Sequence, residues 1–274
     1  MLEILKAIVQ GIVQGITEWL PISSTGHMLL LDQFMTMDDP GGNFFDTFKV
    51  LVQLGSILAV VVLYFHKLNP FSPKKDAGQK KQTLSLWGKV LVASIPAGVV
   101  GLLFEEAIDG VLSTPYVIAA ALIVYGIAFL FMERRRRQPR ITSLEQMDYR
   151  TALCIGGFQM LALIPGTSRS GSTILGATLL GTSRTVAAEF SFFMAIPVMV
   201  GASGYKMLKL LIKGISFTAL QWATLLVGMV VAFVVSLLVI RFLMNYIKRH
   251  DFKVFGYYRI VLGIIVVLYF ALFA

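Results

Sequence analysis

The sequence predicts an all-α integral membrane protein with six transmembrane helices and two re-entrant helix hairpins, arranged as two inverted-topology repeats. Three observations lead there. Of 274 residues, 57% are hydrophobic and 14% charged, against about 45–50% and about 25% in a soluble globular chain. Six apolar runs are long enough to cross the ~30 Å hydrocarbon core of a bilayer. Two further apolar regions are interrupted near their middles, and the order of broken and whole segments repeats along the chain.

The whole runs are Phe44–Phe65, Leu86–Phe104, Tyr116–Met132, Phe190–Ile212, Leu220–Ile240 and Tyr257–Phe273. The interrupted regions are Ile4–Leu31, broken at Pro21-Ile-Ser-Ser-Thr-Gly26, and Thr151–Leu180, broken at Pro165-Gly-Thr-Ser-Arg-Ser-Gly171. Each half holds about 9–16 residues, short of the roughly 20 that a span needs. Each pair is therefore expected to enter the bilayer and return, with its irregular backbone covered by protein or a watery cavity. The first repeat is 1–132, with its hairpin at 4–31 and three spans. A linker follows at 133–150, and the second repeat is 151–274, with its hairpin at 151–180 and three spans. The offset is about 144 residues, laying Pro21-x-x-Ser24 on Pro165-x-x-Ser168. A hairpin returns to its own side whereas three spans change sides, so the second repeat is inverted. Matched broken helices in such repeats place a binding site near the midplane.

The net charge of +9 comes from 24 Lys+Arg against 15 Asp+Glu. It resides largely in three segments: 66–85 with five lysines, 133–150 with six arginines, and 241–256 with Arg241, Lys248, Arg249 and Lys253. The predicted topology puts all three on one side, which the positive-inside rule makes cytoplasmic. Opposite them stand the acidic 32–46 and 105–113; Lys206, Lys209 and Lys213 are exceptions on the outer side. Both termini then face outward. No basic stripe with interleaved aromatics suggests nucleic-acid binding. Cys154 is the single cysteine, so no internal disulfide forms, and its apolar surroundings suggest a small buried hydrophobe. The N-terminal apolar stretch, interrupted by Gln10, Gln14 and Glu18, reads as retained structure, not as a cleaved leader.

Ionisable groups at membrane depth are functional candidates by default. Glu18 lies just before the first break, with Gln14 on the same helix face; a carboxylate satisfied structurally by a neighbouring helix is the plainer alternative. Ser23-Ser24-Thr25-Gly26-His27 supplies hydroxyls and a helix start, which is an anion site as well as an ordinary cap. His27 is the one histidine outside the basic segments, and it suits proton transfer. In the second break Arg169 stands among Ser168, Ser170, Gly171 and Thr173. A guanidinium fork with hydroxyls and free N–H groups matches phosphate oxygens, although an internal Glu18–Arg169 pair is also compatible with this spacing. Together the breaks suggest phosphoryl chemistry on a membrane-embedded substrate. Glu18 with Gln14 offers oxygen ligands to a divalent cation, Mg²⁺ or Ca²⁺.

Gln14-Gly-Ile-Thr-Glu18-Trp-Leu-Pro-Ile-Ser-Ser-Thr-Gly-His27 and Pro165-Gly-Thr-Ser-Arg-Ser-Gly171 resemble the bacitracin-resistance family of undecaprenyl-diphosphate phosphatases. Val52-Gln-Leu-Gly-Ser-Ile-Leu-Ala-Val-Val-Val62 and Glu189-Phe-Ser-Phe extend the resemblance to essentially the whole chain. It implies a multi-pass protein of the bacterial plasma membrane. The implied activity is hydrolysis of a polyprenyl diphosphate at the outer face, recycling the carrier of cell-wall synthesis and giving bacitracin resistance. It also implies that Ser24, His27 and Arg169 are catalytic. The family has Glu or Gln at the position of Gln14, so this chain carries the neutral variant. Ser24, His27 and water all remain open as the attacking group. A lipid-phosphate transporter or flippase is the rival reading, because inverted repeats are transporter-like. The two-histidine lipid phosphatases fit poorly, since His66 and His250 lie in basic segments. The oligomeric state is left open, with a homodimer as one option.

Overall fold

The computed structural model describes residues 1–39, 41–112, 114–135 and 138–273. Arg136 and Arg137 of the basic linker lie outside the described residues, as do the side chains of 105–111, among them Glu105, Glu106 and Asp109. The described residues form helices α1 (Leu2–Thr17), α2 (Ser24–Asp32), α3 (Phe44–Leu63), α4 (Phe65–Leu68), α5 (Ala77–Leu112) and α6 (Pro115–Arg134). These are followed by α7 (Tyr149–Met160), a 3₁₀ turn at Leu161–Leu163, α8 (Arg169–Leu179), α9 (Arg184–Ile212), α10 (Ala219–Ile247) and α11 (Lys253–Phe273). Six of them, α3, α5, α6, α9, α10 and α11, are long and apolar enough to cross a membrane.

Each predicted span is found, and most are longer than predicted. α5 runs for 36 residues and begins inside the lysine-rich segment; α10 continues to Ile247. Hydropathy marks only the part that matches hydrocarbon. The backbone hydrogen bonds of a helix are local, and Gln, Lys and Arg are good helix formers, so the helix persists into the polar layer. Short polar side chains begin the helices. The Asp148 carboxylate accepts from Thr151 N at 2.7 Å, and Thr218 with Gln221 forms a reciprocal capping box on α10.

Helix packing follows a pattern that repeats between the two halves. α1 lies along α10 as α7 lies along α5; α3 packs on α10 as α9 packs on α5. α3 meets α9, and α6 meets α11. The backbones approach closely where glycine permits. A Cβ on Gly55 would stand 2.1 Å from the Met229 carbonyl oxygen of α10, a distance no side chain tolerates without moving a helix. Gly55→Ala is therefore expected to destabilise the bundle by about 1–3 kcal/mol, the usual cost of overpacking. A thermal melt in detergent reads this as a lower Tm; an unchanged Tm would contradict the α3–α10 contact.

Loop contacts define the two ends of the bundle. At one end Asp38 N donates to Glu3 Oε2 (2.9 Å) and Lys6 Nζ to Thr36 O (2.6 Å), so the start of α1 and the segment after α2 share that end. At the other, Arg140 N and Ile141 N donate to Gly181 O (2.8 and 3.0 Å), joining the segments before α7 and after α8. The three basic segments gather at this second end. Lys67 pairs with Glu189 at 2.7 Å, and Lys89 donates to Leu144 O. Arg184 grips both oxygens of Glu133, which also accepts from Phe252 N.

Cys154 is exposed on α7, contrary to the expectation of burial. Hydrocarbon is as apolar as a protein core, so a residue in a membrane helix is not driven inward by its hydrophobicity.

Candidate active site

The two breaks share an unusual backbone. Ser23 (φ 77°) and Ser168 (φ 75°) are the two non-glycine residues with positive φ among those described. Such conformations cost on the order of 1–3 kcal/mol each and persist where surroundings over-determine them. Each serine caps the helix that follows: Ser23 Oγ accepts from Gly26 N at 3.3 Å, and Ser168 Oγ from Gly171 N at 3.1 Å. The matching serines are thus Ser23 and Ser168, not Ser24 and Ser168. The second break carries one residue more between its proline and its cap than the first, which shifts the register read from the prolines. Ser24 and Arg169 then become the equivalent first residues of α2 and α8.

Gly166 makes the second break tight. It has φ +91°, and a Cβ there would meet the Ile118 carbonyl oxygen at 2.6 Å. α2 holds 9 residues and α8 holds 11. At about 1.5 Å per residue they place the breaks roughly 13 and 16 Å inside opposite ends. Those depths add up to about the ~30 Å of a hydrocarbon core.

Glu18 is the hub, 4% exposed. Its Oε2 accepts from Ser24 Oγ at 2.7 Å and from Gln14 Nε2 at 3.0 Å, and its Oε1 accepts from Arg169 Nη2 at 3.1 Å. Arg169 Nη1 is anchored on Ser191 O at 2.8 Å. Thr173 steadies that anchor, with Oγ1 at 2.6 Å from Ser191 Oγ and donating to Arg169 O at 2.9 Å. Ser170 Oγ reaches Glu18 O at 3.0 Å and Leu20 O at 3.2 Å, tying α8 to the first break.

Several polar groups here remain unspent. Arg169 Nε, Trp19 Nε1 and Gln14 Oε1 are buried with no partner among the described residues. The cap serines occupy the third amide of α2 and of α8, and among the described residues the amides of Ser24, Thr25, Arg169 and Ser170 bond to nothing in the protein. Two helix N-termini and a guanidinium therefore converge beside a half-buried serine, which is the chemistry of a phosphate site. The cation reading has a narrower basis. No group of three His, Cys, Asp or Glu side chains among the described residues forms a cage. Glu18 and the unpartnered Gln14 Oε1 suit a hard ion that keeps its waters and shares phosphate oxygens.

Not every expected residue joins this cluster. His27 faces away: Nδ1 lies 2.6 Å from Ser23 O and Nε2 2.7 Å from Tyr258 OH, and the two rings stack at 5.7 Å. A carbonyl only accepts, so Nδ1 carries the proton and, in neutral His27, Nε2 accepts from Tyr258. The hydroxyls of Ser23, Ser168, Ser170 and Thr173 and the amides of Gly26 and Gly171 are spent on caps and ties, and they shape the site from behind. Among the described residues the Thr25 hydroxyl has no hydrogen-bond partner.

One residue was missed. Arg259 is wholly buried and bridges both breaks, with Nη1 on Pro21 O (3.0 Å) and Nη2 on Gly166 O and Thr167 O (both 2.9 Å). Its guanidinium also lies over the Tyr125 ring at 5.4 Å. An arginine six residues into an apolar helix is a legible signal by the same rule that singles out Glu18, although hydropathy alone absorbs it into the last span.

The sequence profile of the bacitracin resistance protein BacA family matches residues 7–265. The chain belongs to that family. Among its relatives, this BacA-family protein is 60% identical over 272 residues to undecaprenyl-diphosphatase 1 of Clostridioides difficile, covering 99% of this chain and 98% of the relative. It is 57% identical to an undecaprenyl-diphosphatase of Lactiplantibacillus plantarum, covering 99% of each. An undecaprenyl-diphosphatase of Enterococcus faecalis is 55% identical, covering 96% of each.

Proposed function

We propose that this protein is a membrane-embedded undecaprenyl-diphosphate phosphatase, releasing inorganic phosphate and undecaprenyl phosphate at the outer face of the bacterial plasma membrane. The observation that carries the reading is the Ser24–Glu18–Arg169 cluster at the meeting of two helix N-termini. Ser24 Oγ attacks the terminal phosphorus while Glu18 Oε2, already accepting its hydrogen bond, takes the proton. The bond from that phosphorus to the bridging oxygen breaks, and the lipid monophosphate leaves. A phosphate is a stable leaving group near neutral pH, its second pKa being about 6, so the first step needs little acid assistance. Water then cleaves the phosphoserine. The water oxygen bonds to phosphorus as the bond to Ser24 Oγ breaks, and Glu18 returns its proton to Ser24 Oγ. The released phosphate carries the protons of the water, while His27, turned to Tyr258, holds α2 against α11. Arg169 and the unspent amides of Ser24, Thr25, Arg169 and Ser170 stabilise charge on the phosphoryl oxygens. Glu18 and Gln14 would hold a divalent cation, which supplies neutralising charge to the diphosphate when bound.

The outer-face assignment rests on the basic segments, which mark the opposite end as cytoplasmic, and on the first hairpin entering from the acidic end. Re-entrant hairpins in inverted repeats are supported by the paired helix contacts and by the two hairpins opening at opposite ends. Phosphate release from undecaprenyl diphosphate by the purified protein tests the reading. Glu18→Gln removes the base and the Arg169 partner together, and turnover should fall by two or more orders of magnitude, the weight of a positioned general base. A protein that moves labelled lipid but releases no phosphate would be a transporter instead. An EDTA and add-back series on the same assay reports the cation: activity that survives chelation removes it from the scheme.

A further inference from the structure

At the basic end, away from the proposed site, a cavity of about 390 Å³ opens between the turn after α3, the start of α5 and the segment preceding α7. Four lysines line it: Lys67, Lys74, Lys75 and Lys89; Glu145 is the acidic residue on its wall. Their bonding is uneven. Lys75 is spent as a staple on Lys67 O, Asn69 O and Thr83 Oγ1, and Lys67 pairs with Glu189 at 2.7 Å. Lys89 is only 6% exposed, yet its ammonium makes a single bond, to Leu144 O at 3.2 Å. An ammonium has three protons to donate; the Glu145 and Asp148 carboxylates act on Lys89 only through space, and neither is hydrogen-bonded to it among the described residues. Lys74 has no partner among the described residues and is exposed.

Burying an ammonium on one carbonyl is costly unless another acceptor completes its shell. The cavity wall offers charge for an anion, and its volume equals about a dozen waters at ~30 Å³ each, more than one phosphate group fills. Beside the lining residues in sequence stand exposed apolar side chains: Phe71, 85% exposed, precedes Ser72, and Leu84 and Phe65 neighbour Thr83 and His66. Lys89 stands one turn inside Leu86, where the apolar part of α5 begins. The cavity therefore lies where the lysine-rich start of α5 gives way to its apolar part, the level at which lipid phosphates meet a membrane helix. Basic pockets between membrane helices on the cytoplasmic side are built to take anionic head groups.

We infer that this cavity binds the phosphodiester head group of an anionic glycerophospholipid, with Lys89 and Lys74 as its principal donors. Lipid of the inner leaflet would thereby brace the start of α5 against the segment that leads into α7.

Native mass spectrometry of the full-length protein, exchanged into detergent with phosphatidylglycerol or phosphatidylcholine, tests this. Wild type should retain phosphatidylglycerol preferentially. Lys74→Gln and Lys89→Gln should each weaken retention roughly fivefold, the weight of one basic residue at an anionic surface. Lys89→Arg should keep retention within about twofold of wild type, since the charge stays. Should Lys89→Gln fail to fold, Lys74→Gln, on an exposed side chain, carries the comparison alone. Dialysis of delipidated protein against radiolabelled inorganic phosphate forms the second arm. Lysine-dependent uptake of phosphate with no preference between the two lipids would assign the cavity to a free anion and overturn the head-group inference. Equal retention of both lipids by wild type and variants would overturn it outright.

Discussion

Ser24→Ala is expected to lower phosphate release by a factor on the order of 10³ or more, the usual result of deleting a nucleophile that acts together with its base. The substitution removes one oxygen. It leaves Glu18 bonded to Arg169 and Gln14, so folding and lipid binding should persist, with a Tm close to that of wild type. The loss should therefore appear in kcat, with KM little changed. Labelling the terminal phosphate adds a covalent readout: wild type quenched in acid should carry label on Ser24, and the alanine variant none. Turnover within tenfold of wild type would show that water attacks directly and that Ser24 merely orients Glu18.

Arg259→Lys should be nearly as damaging, although Arg259 is the base of nothing and touches no reacting atom in the proposed scheme. Its planar fork holds carbonyls from both breaks at once. A lysine keeps the charge but reaches fewer of them. Each buried carbonyl left without a donor costs on the order of 1–3 kcal/mol, and the strained Ser23 and Ser168 would lose part of what holds them. The expected result is a lower Tm together with a kcat loss larger than any change in KM. Arg259→Met, which also removes the charge, should be worse on both counts. An active Arg259→Lys enzyme with a wild-type melt would show that Ser170 and the capping serines hold the breaks unaided.

The contrast between these two residues shows what the chain discloses about itself. Ser24 stands in a run of hydroxyls beside a carboxylate inside an apolar region, and the cost of burying Glu18 advertises it. Arg259 is as anomalous energetically, but its neighbours in sequence are apolar and its partners are carbonyls more than ninety residues away. Partners of that kind leave no trace in local pattern, because every residue has a carbonyl. His27 is the reverse case. Its place three residues after Ser24 put it in the catalytic cluster by proximity, whereas the turn of α2 carries its ring toward Tyr258 of α11. The register between the breaks differs from the proline alignment for a similar reason: the prolines match in sequence, but the cap serines, set by backbone geometry, mark the equivalence.

Composition and hydropathy suffice for the class of protein, the six spans and the two interruptions, and they single out Glu18, Ser24 and Arg169 as candidates. All of these follow from transfer free energies, because hydrocarbon excludes charge and unsatisfied backbone wherever it meets them. Tertiary structure alone decided which of the site's hydroxyls are free and which are spent on caps, where His27 points, and that Arg259 bolts the halves together. It also decided that four lysines from a turn and a helix start surround one cavity. Those outcomes depend on distances between segments remote in the chain, and side-chain direction at such distances is set by packing and not by local composition.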